Sequence, residues 1–234
     1  LLRLFGIPYI VSPMEAEAQC ATLYSKKLVD GIVTDDSDIF LFGGSEVYKN
    51  MFNQQQYVEC YKMSELEKEM KLNREKLINM AYLLGSDYTE GLKGFGIVHA
   101  MEIIKEWPGD DGLIEFKQWW EKLDIPDSFP DPQIKNAYLN PVCDESDQAF
   151  QWGTPDLPSL KKFLSQKLMW NDVKINNILV PIIKKMEKNK VSNNNDKKQT
   201  KLDQYFFNPK SIMEANKLHQ SQRIKNVINQ WSKK

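Results

Sequence analysis

The chain has 234 residues, 41% of them hydrophobic, with 31 basic against 32 acidic side chains and a net charge of -1. That length builds one good core with a tail to spare, and no apolar run approaches the roughly 20 residues of a membrane-spanning helix. Cys20, Cys60 and Cys143 are odd in number and far apart, and His99 and His219 stand alone, which excludes a zinc ligand set and a histidine-based site and suits a reducing compartment.

The opening LLRLFGIPY reads as mid-helix and has none of the marks of a secretory leader. IPYIV, residues 7–11, is a β-branched and aromatic run expected to form a strand, followed after Pro13 by a helix over EAEAQCATLYSKKL. Asp30-Gly31 marks a turn into the short strand GIVT, and FLFGG, EVYKNMF and YVECYKM are expected to be further strands. Strand, helix, strand in this order implies a parallel α/β sheet, in which ligands gather at the carboxyl ends of strands. From residue 64 the pattern turns helical: SELEKEM, then REKLINMAYLLG with Leu77, Met80, Ala81 and Leu84 on one expected buried face. GLKGFG then precedes a second amphipathic helix. Residues 110–157, rich in proline and acids, read as an ordered loop anchored by Phe129, Tyr138, Phe150 and Trp152. A helix over SLKKFLSQKLMW should bury Phe163, Leu164, Leu168 and Trp170, and Pro181 should start or bend a last helix over NILVPIIKKMEK. NKVSNNNDKKQTK is expected to be a disordered linker. The expected domains are 1–63 (α/β, with a metal site), 64–188 (helical) and 189–234 (a flexible basic tail).

Three short words carry the chemistry. Glu15 and Glu17 lie in PMEAEAQCA, Asp36 and Asp38 in TDDSD, and Asp87 in LLGSDYTEG, each just past the end of a hydrophobic element. Carboxylates gathered in one place repel unless protons or cations neutralise them. Hard divalent cations with oxygen ligands fit such a set, and two of them activate water for phosphodiester hydrolysis. For any one of these acids alone, a solvated surface carboxylate is the simpler reading. Gly91, Gly94 and Gly96 place backbone N–H groups and a helix N-terminus in a hairpin suited to phosphate, although an ordinary helix connection would look the same. Residues 181–234 hold 13 Lys and Arg against 4 Asp and Glu, a net of +9, leaving -10 for residues 1–180. A basic tail on an acidic body suits an enzyme acting on a polyanion, and equally a lysine-rich solubilising segment.

PMEAEAQCA, TDDSDIFLFG and LLGSDYTEGLKGFG resemble the internal nuclease region of the flap endonuclease/XPG family of structure-specific DNA nucleases. LFGGSEVYKNMF and FPDPQIKNAYLNPVCDESDQAFQWGTPDL, ending in Trp-Gly-x-Pro-Asp-Leu, resemble its XPG branch in particular. The resemblance covers about residues 1–185 and implies a PIN-like α/β core, a partial and mostly parallel sheet with flanking helices, followed by a helix–two-turn–helix. It implies an Mg²⁺-dependent endonuclease of nucleotide excision repair in the nucleus, incising 3′ to a lesion bubble. By position, Glu15, Glu17, Asp36, Asp38 and Asp87 are its catalytic ligands for two Mg²⁺ ions, whereas Asp35 is a neighbour that deepens the negative field. The carbonyls of Gly91, Leu92 and Phe95 match a K⁺ site, and Gly91, Lys93, Gly94, Gly96 and His99 match the DNA-gripping hairpin. Val98 and His99 stand where flap endonucleases tend to carry basic residues, which implies weaker, salt-sensitive contact.

Gln199, Leu202, Tyr205 and Phe206 in QTKLDQYFF fit the pattern of peptides that dock on the PCNA sliding clamp, a helical turn that plugs apolar and aromatic side chains into a pocket. A chance amphipathic turn would fit as well. The family further implies TFIIH and RPA as partners. Its active site also draws on an earlier region of aspartates and strands not found in this sequence, so the chain is expected to expose an unpaired sheet edge and apolar surface, to bind metal weakly and to cut DNA poorly or not at all by itself. Two alternatives stay open: a non-catalytic DNA- and clamp-binding fragment, and a flap- or junction-cleaving nuclease of the same superfamily.

Overall fold

The computed structural model describes residues 1–53, 57–120, 125–195 and 226, with side chains of 188–195 excepted. In chain order the elements are α1 (Leu2–Phe5), α2 (Ala16–Ser25), β1 (Ile32–Val33), β2 (Glu46–Lys49), β3 (Glu59–Lys62), α3 (Met63–Met70), α4 (Arg74–Leu84), α5 (Ile97–Glu106), α6 (Gly112–Trp119), α7 (Pro132–Leu139), α8 (Leu157–Leu168) and α9 (Asp172–Asn195). The fold is mixed α/β, rich in helix with a small sheet ordered β1-β2-β3. β1 runs parallel to β2, with Ile32 opposite Val47, and β2 runs antiparallel to β3, with Val47 opposite Tyr61. Val47 is fully buried, so this register turns one face of β2 into the core. No helix among the described residues is long and apolar enough to cross a membrane.

Two compact units divide the described residues, one of residues 12–147, the other of residues 1–11 with 148–195. In the first, Ile39, Val47, Ile78, Leu83, Ala100, Met101, Phe116 and Tyr138 are fully buried in one hydrophobic cluster. α2 enters it through Ala18 and Ala21, side chains small enough for close helix packing. Gln19, the buried polar residue of that helix, donates from Nε2 to the Asp144 carbonyl (3.0 Å) and accepts the Asp144 amide on Oε1 (2.7 Å). Both halves of the buried amide are thereby satisfied. Lys26 pairs with Glu145 and Asp147 at 2.9 Å each and fixes the same acidic strap about two turns further on. The Asn73 side chain caps α4 by accepting the Lys76 amide at 3.0 Å.

In the second unit, Leu160, Leu164, Ile175 and Leu179 form a smaller cluster onto which Leu4 and Phe5 pack. The Trp-Gly-x-Pro-Asp-Leu signature acts here as a staple. The Gly153 amide donates to the Gly6 carbonyl at 2.8 Å, the Asp156 amide donates to the Leu4 carbonyl at 2.9 Å, and the Asp156 carboxylate caps α8 through the Ser159 amide at 3.1 Å. A Cβ on Gly153 would sit 2.9 Å from Gly6 Cα, closer than backbone tolerates. Gly153→Ala is therefore expected to cost about 1–3 kcal/mol, read as a lower midpoint of thermal unfolding and faster amide exchange in α8.

Several expected elements differ. FLFGG is no strand: residues 38–40 form a 3-10 turn and the following turn reaches Gly43 at φ 97°, which buries Leu41 and Phe42 without any ladder. IPYIV joins no ladder among the described residues, and Ile10 and Val11 are exposed. The run instead begins as a continuation of the α1 turn, with the Ile7 amide donating to the Leu2 carbonyl at 3.0 Å, and its exposed end is left to solvent. In α4 the buried face is Ile78, Met80, Ala81, Tyr82 and Leu83, and Leu84 lies outside it. Residues 110–157 are more than a loop, because α6 and α7 lie within them. Phe129 and Tyr138 are anchors, but Trp152 is 69% exposed. In α8, Leu164 is buried whereas Leu168 is exposed. Pro181 lies inside α9, which continues through Asn195 and so takes in part of the expected linker. Gln199, Leu202, Tyr205 and Phe206 lie outside the described residues.

Candidate metal centre and nucleic-acid interface

Three elements of the larger unit present the five acids. Glu15 occupies the N-cap position of α2 with extended backbone (φ -71°, ψ 128°), and Glu17 lies in the first turn, where the helix dipole favours negative charge. Asp36 and Asp38 follow β1, the Asp38 amide donating to Asp36 Oδ1 at 2.9 Å. Asp87 follows Gly85, whose φ of 100° ends α4, in a turn closed by the Ser86–Thr89 bridge. Glu17 and Asp38 are half-buried; Glu15, Asp36 and Asp87 are exposed.

Two tyrosines bind the acids to one another. Tyr88 donates its hydroxyl to Glu15 Oε1 at 3.0 Å, and the fully buried Tyr138 donates to Asp38 Oδ2 at 3.1 Å. The two rings lie 4.9 Å apart. Burial raises the pKa of Asp38, the Tyr138 hydrogen bond opposes that rise, and the charges of Asp36, Asp87 and Glu17 add to it. Tyr88 is pushed up to about 12, first by burial and then by its bond to Glu15, with the charges of Asp38 and Asp87 adding to both. All five carboxylates thus act within one field. The ion pairs of the described residues lie elsewhere, on Lys26 and Lys135.

Sharing a field is a weaker condition than sharing an ion. Among the described residues, no three His, Cys, Asp or Glu side chains are arranged to close on a single cation. Coulombic coupling reaches well past the roughly 2.0–2.6 Å of a metal–oxygen bond. Five carboxylates divided over two ions, with water and phosphate oxygens completing each sphere, need no such trio in advance. The donor chemistry fits a hard divalent ion, being all carboxylate oxygen, with no lysine or arginine ion-paired to it among the described residues. A cleft lined by Ala21, Thr22, Phe42, Arg74 and Asn140 includes none of the five acids.

The glycine hairpin divides by role. A Cβ on Gly91 (φ 76°) would meet the Gly85 amide nitrogen at 2.5 Å and the Leu84 carbonyl carbon at 2.6 Å, so this glycine lets the hairpin pack against the turn that carries Asp87. The Leu92 amide donates to the Leu83 carbonyl at 2.9 Å and its side chain is buried. Gly94 and Gly96 instead have nothing within 4 Å of a built Cβ, leaving backbone open to close approach. Gly96 stands at the N-cap of α5 and has no side chain to cap the first amides of that helix. Lys93 and His99 are exposed, and the His99 ring stands edge-on to Phe95 at 5.9 Å. The Leu92 carbonyl accepts the Phe95 amide at 3.1 Å. The sequence reading treated Tyr138 as a packing anchor and missed its contact with Asp38.

A family model described as the XPG I-region matches residues 6–87. The DNA repair protein rad13 of Schizosaccharomyces pombe is 43% identical across 99% of this chain and 23% of its own length. The DNA excision repair protein ERCC-5 of Mus musculus is 40% identical across 97% of this chain and 21% of its own length. The chain therefore spans about a fifth to a quarter of these curated relatives. The solved catalytic core of Rad2 in complex with DNA substrate superimposes with a TM-score of 0.73 at 42% identity, over 78% of this chain and 67% of that one. Fold, acidic site and these matches agree: the chain belongs to the flap endonuclease/XPG family of DNA nucleases. Rad13, ERCC-5 and Rad2 place its similarity in the XPG branch.

Proposed function

We propose that the chain forms the catalytic centre of a structure-specific DNA endonuclease of nucleotide excision repair, acting in the nucleus and incising 3′ to a lesion bubble. The observation that supports this reading is that carboxylates from three sequence-distant words act on Asp38 and Tyr88, with no ion pair to any of the five acids among the described residues. Glu15, Glu17, Asp36, Asp38 and Asp87 would hold two Mg²⁺ ions. Those ions, when bound, supply Lewis-acid polarisation of the scissile phosphate and a lowered pKa for the attacking water. The protein contributes orientation: Tyr88 and Tyr138 fix one oxygen each of Glu15 and Asp38, and the α2 dipole steadies the Glu17 charge. Gly94, Gly96, Lys93 and His99 would grip the phosphate backbone of the duplex, assisted by Gly91, with the carbonyls of Gly91, Leu92 and Phe95 around a K⁺ ion. Gln199, Leu202, Tyr205 and Phe206 would dock on PCNA, with TFIIH and RPA as further partners.

About a third of the matched Rad2 core lies outside the alignment, which supports the reading that catalysis draws on more polypeptide than this chain. The expected result is that the chain alone leaves a bubble substrate uncut in Mg²⁺, and that it cuts when joined to the remaining core region. Robust incision by the chain alone would refute the fragment reading, and failure of the joined protein would refute the nuclease reading. A second reading, a DNA- and clamp-binding fragment without catalysis, is favoured by the lack of three acids closed on one ion among the described residues. DNA binding by the joined protein without cleavage at any Mg²⁺ concentration would select it, and bubble, flap and junction substrates compared side by side would fix the preference.

A further inference from the structure

Tyr138 is held more firmly than packing alone requires. Its ring is fully buried, with Phe42 at 5.1 Å and Tyr88 at 4.9 Å. Its backbone carbonyl accepts Nη2 of Arg74 at 2.7 Å, and Nε of the same guanidinium donates to the Leu41 carbonyl at 2.7 Å. One side chain of α4 therefore ties α7 to the turn that follows Asp38. With ring and backbone both fixed, the hydroxyl has a single place in the site. There it gives a hydrogen bond to Asp38 Oδ2 at 3.1 Å. Its ring packs on Tyr88, which follows Asp87 in sequence and donates its own hydroxyl to Glu15.

We propose that Tyr138 is a positioning residue for the ion-holding carboxylates. Its hydroxyl holds the Asp38 carboxylate while its ring backs Tyr88, the neighbour of Asp87, so one side chain sets the spacing between the two words. By occupying Oδ2 of Asp38 it would leave Oδ1 for a cation, the role that partners of metal-bound carboxylates commonly play. The amide-to-carboxylate bond from Asp38 to Asp36 extends the same frame to a third acid. This inference rests on the reading of these acids as ligands of divalent ions. A phenylalanine would fill the same buried space, so the oxygen alone separates positioning from packing.

The test uses the 234-residue chain as wild type, Tyr138→Phe, Asp38→Ala and the Tyr138→Phe/Asp38→Ala pair. The Mn²⁺ dissociation constant is read by titration calorimetry, and the thermal midpoint is read without metal. Tyr138→Phe is expected to weaken Mn²⁺ binding by about 10-fold or more with little change in the metal-free midpoint. The double variant should bind no more weakly than Asp38→Ala alone, because the phenol acts through Asp38. Wild-type affinity in Tyr138→Phe, or losses that add in the double variant, would overturn the positioning role. Failure of the wild type itself to bind Mn²⁺ would refute the ion-holding reading, and the positioning role with it.

Discussion

Replacing Asp38 with asparagine is expected to make the metal-free protein more stable and the assembled nuclease inactive. The pKa of Asp38 is raised, chiefly by burial and further by Asp36, Asp87 and Glu17, so its charged form is disfavoured in the fold. A carboxyl with a raised folded pKa binds its proton more tightly in the native state than in the unfolded one. Its ionisation therefore removes stability as pH rises above the unfolded value, and the loss is complete once pH exceeds the folded value. Asparagine carries no charge, keeps a carbonyl oxygen to accept the Tyr138 hydroxyl, and relieves that cost at neutral pH. A gain of about 1 kcal/mol corresponds to roughly 2–4 °C in the thermal midpoint of a chain this size. The difference between variant and wild type should narrow under acidification, as Asp38 becomes protonated in both the folded and the unfolded chain. Incision by the assembled protein should disappear while DNA affinity persists. Equal loss of binding would contradict a metal role for Asp38.

Gly91→Ala should be the most damaging of the hairpin substitutions. Its φ of 76° strains any side chain, and the new Cβ would press on backbone atoms of Leu84 and Gly85. Left-handed strain of about 1–2 kcal/mol and overpacking of about 1–3 kcal/mol combine to roughly 3 kcal/mol, a fall of about 6–12 °C in the thermal midpoint. The displaced turn carries Asp87, so divalent-ion binding should weaken together with stability. Gly96→Ala is the contrast, because its backbone is unstrained and its surroundings are open. It should leave the midpoint unchanged and weaken DNA binding, by placing a methyl group where a phosphate approaches. Identical melting of the two variants would contradict the division of roles within the hairpin.

The acidic words were legible in the sequence because each combines several acids with a distinctive neighbour set at a strand or helix end. α4, α5 and α8 were legible because their apolar spacing matches a helical period and each is bounded by caps or glycines. FLFGG was not legible, because an apolar run buries its side chains equally well as a strand or as a 3-10 turn, and Gly43 selects the turn. α7 carried a usable signal that went unread, Asp131 capping the helix just before Pro132. The role of Tyr138 had no local signal at all. It depends on a contact across 100 positions with Asp38, and only the folded chain supplies that partner. The same holds for Trp-Gly-x-Pro-Asp-Leu, whose glycine is needed for a backbone contact with Gly6.

The most direct measurement is Mn²⁺ titration of the isotope-labelled chain, followed by paramagnetic broadening of backbone amide signals. If sequence-remote carboxylates jointly bind the ion, the amides of Glu17, Asp38 and Asp87 should broaden together at the same Mn²⁺ concentration. Broadening confined to one of these segments, or centred on the strap of Asp144, Glu145 and Asp147, would contradict a shared ion-binding centre.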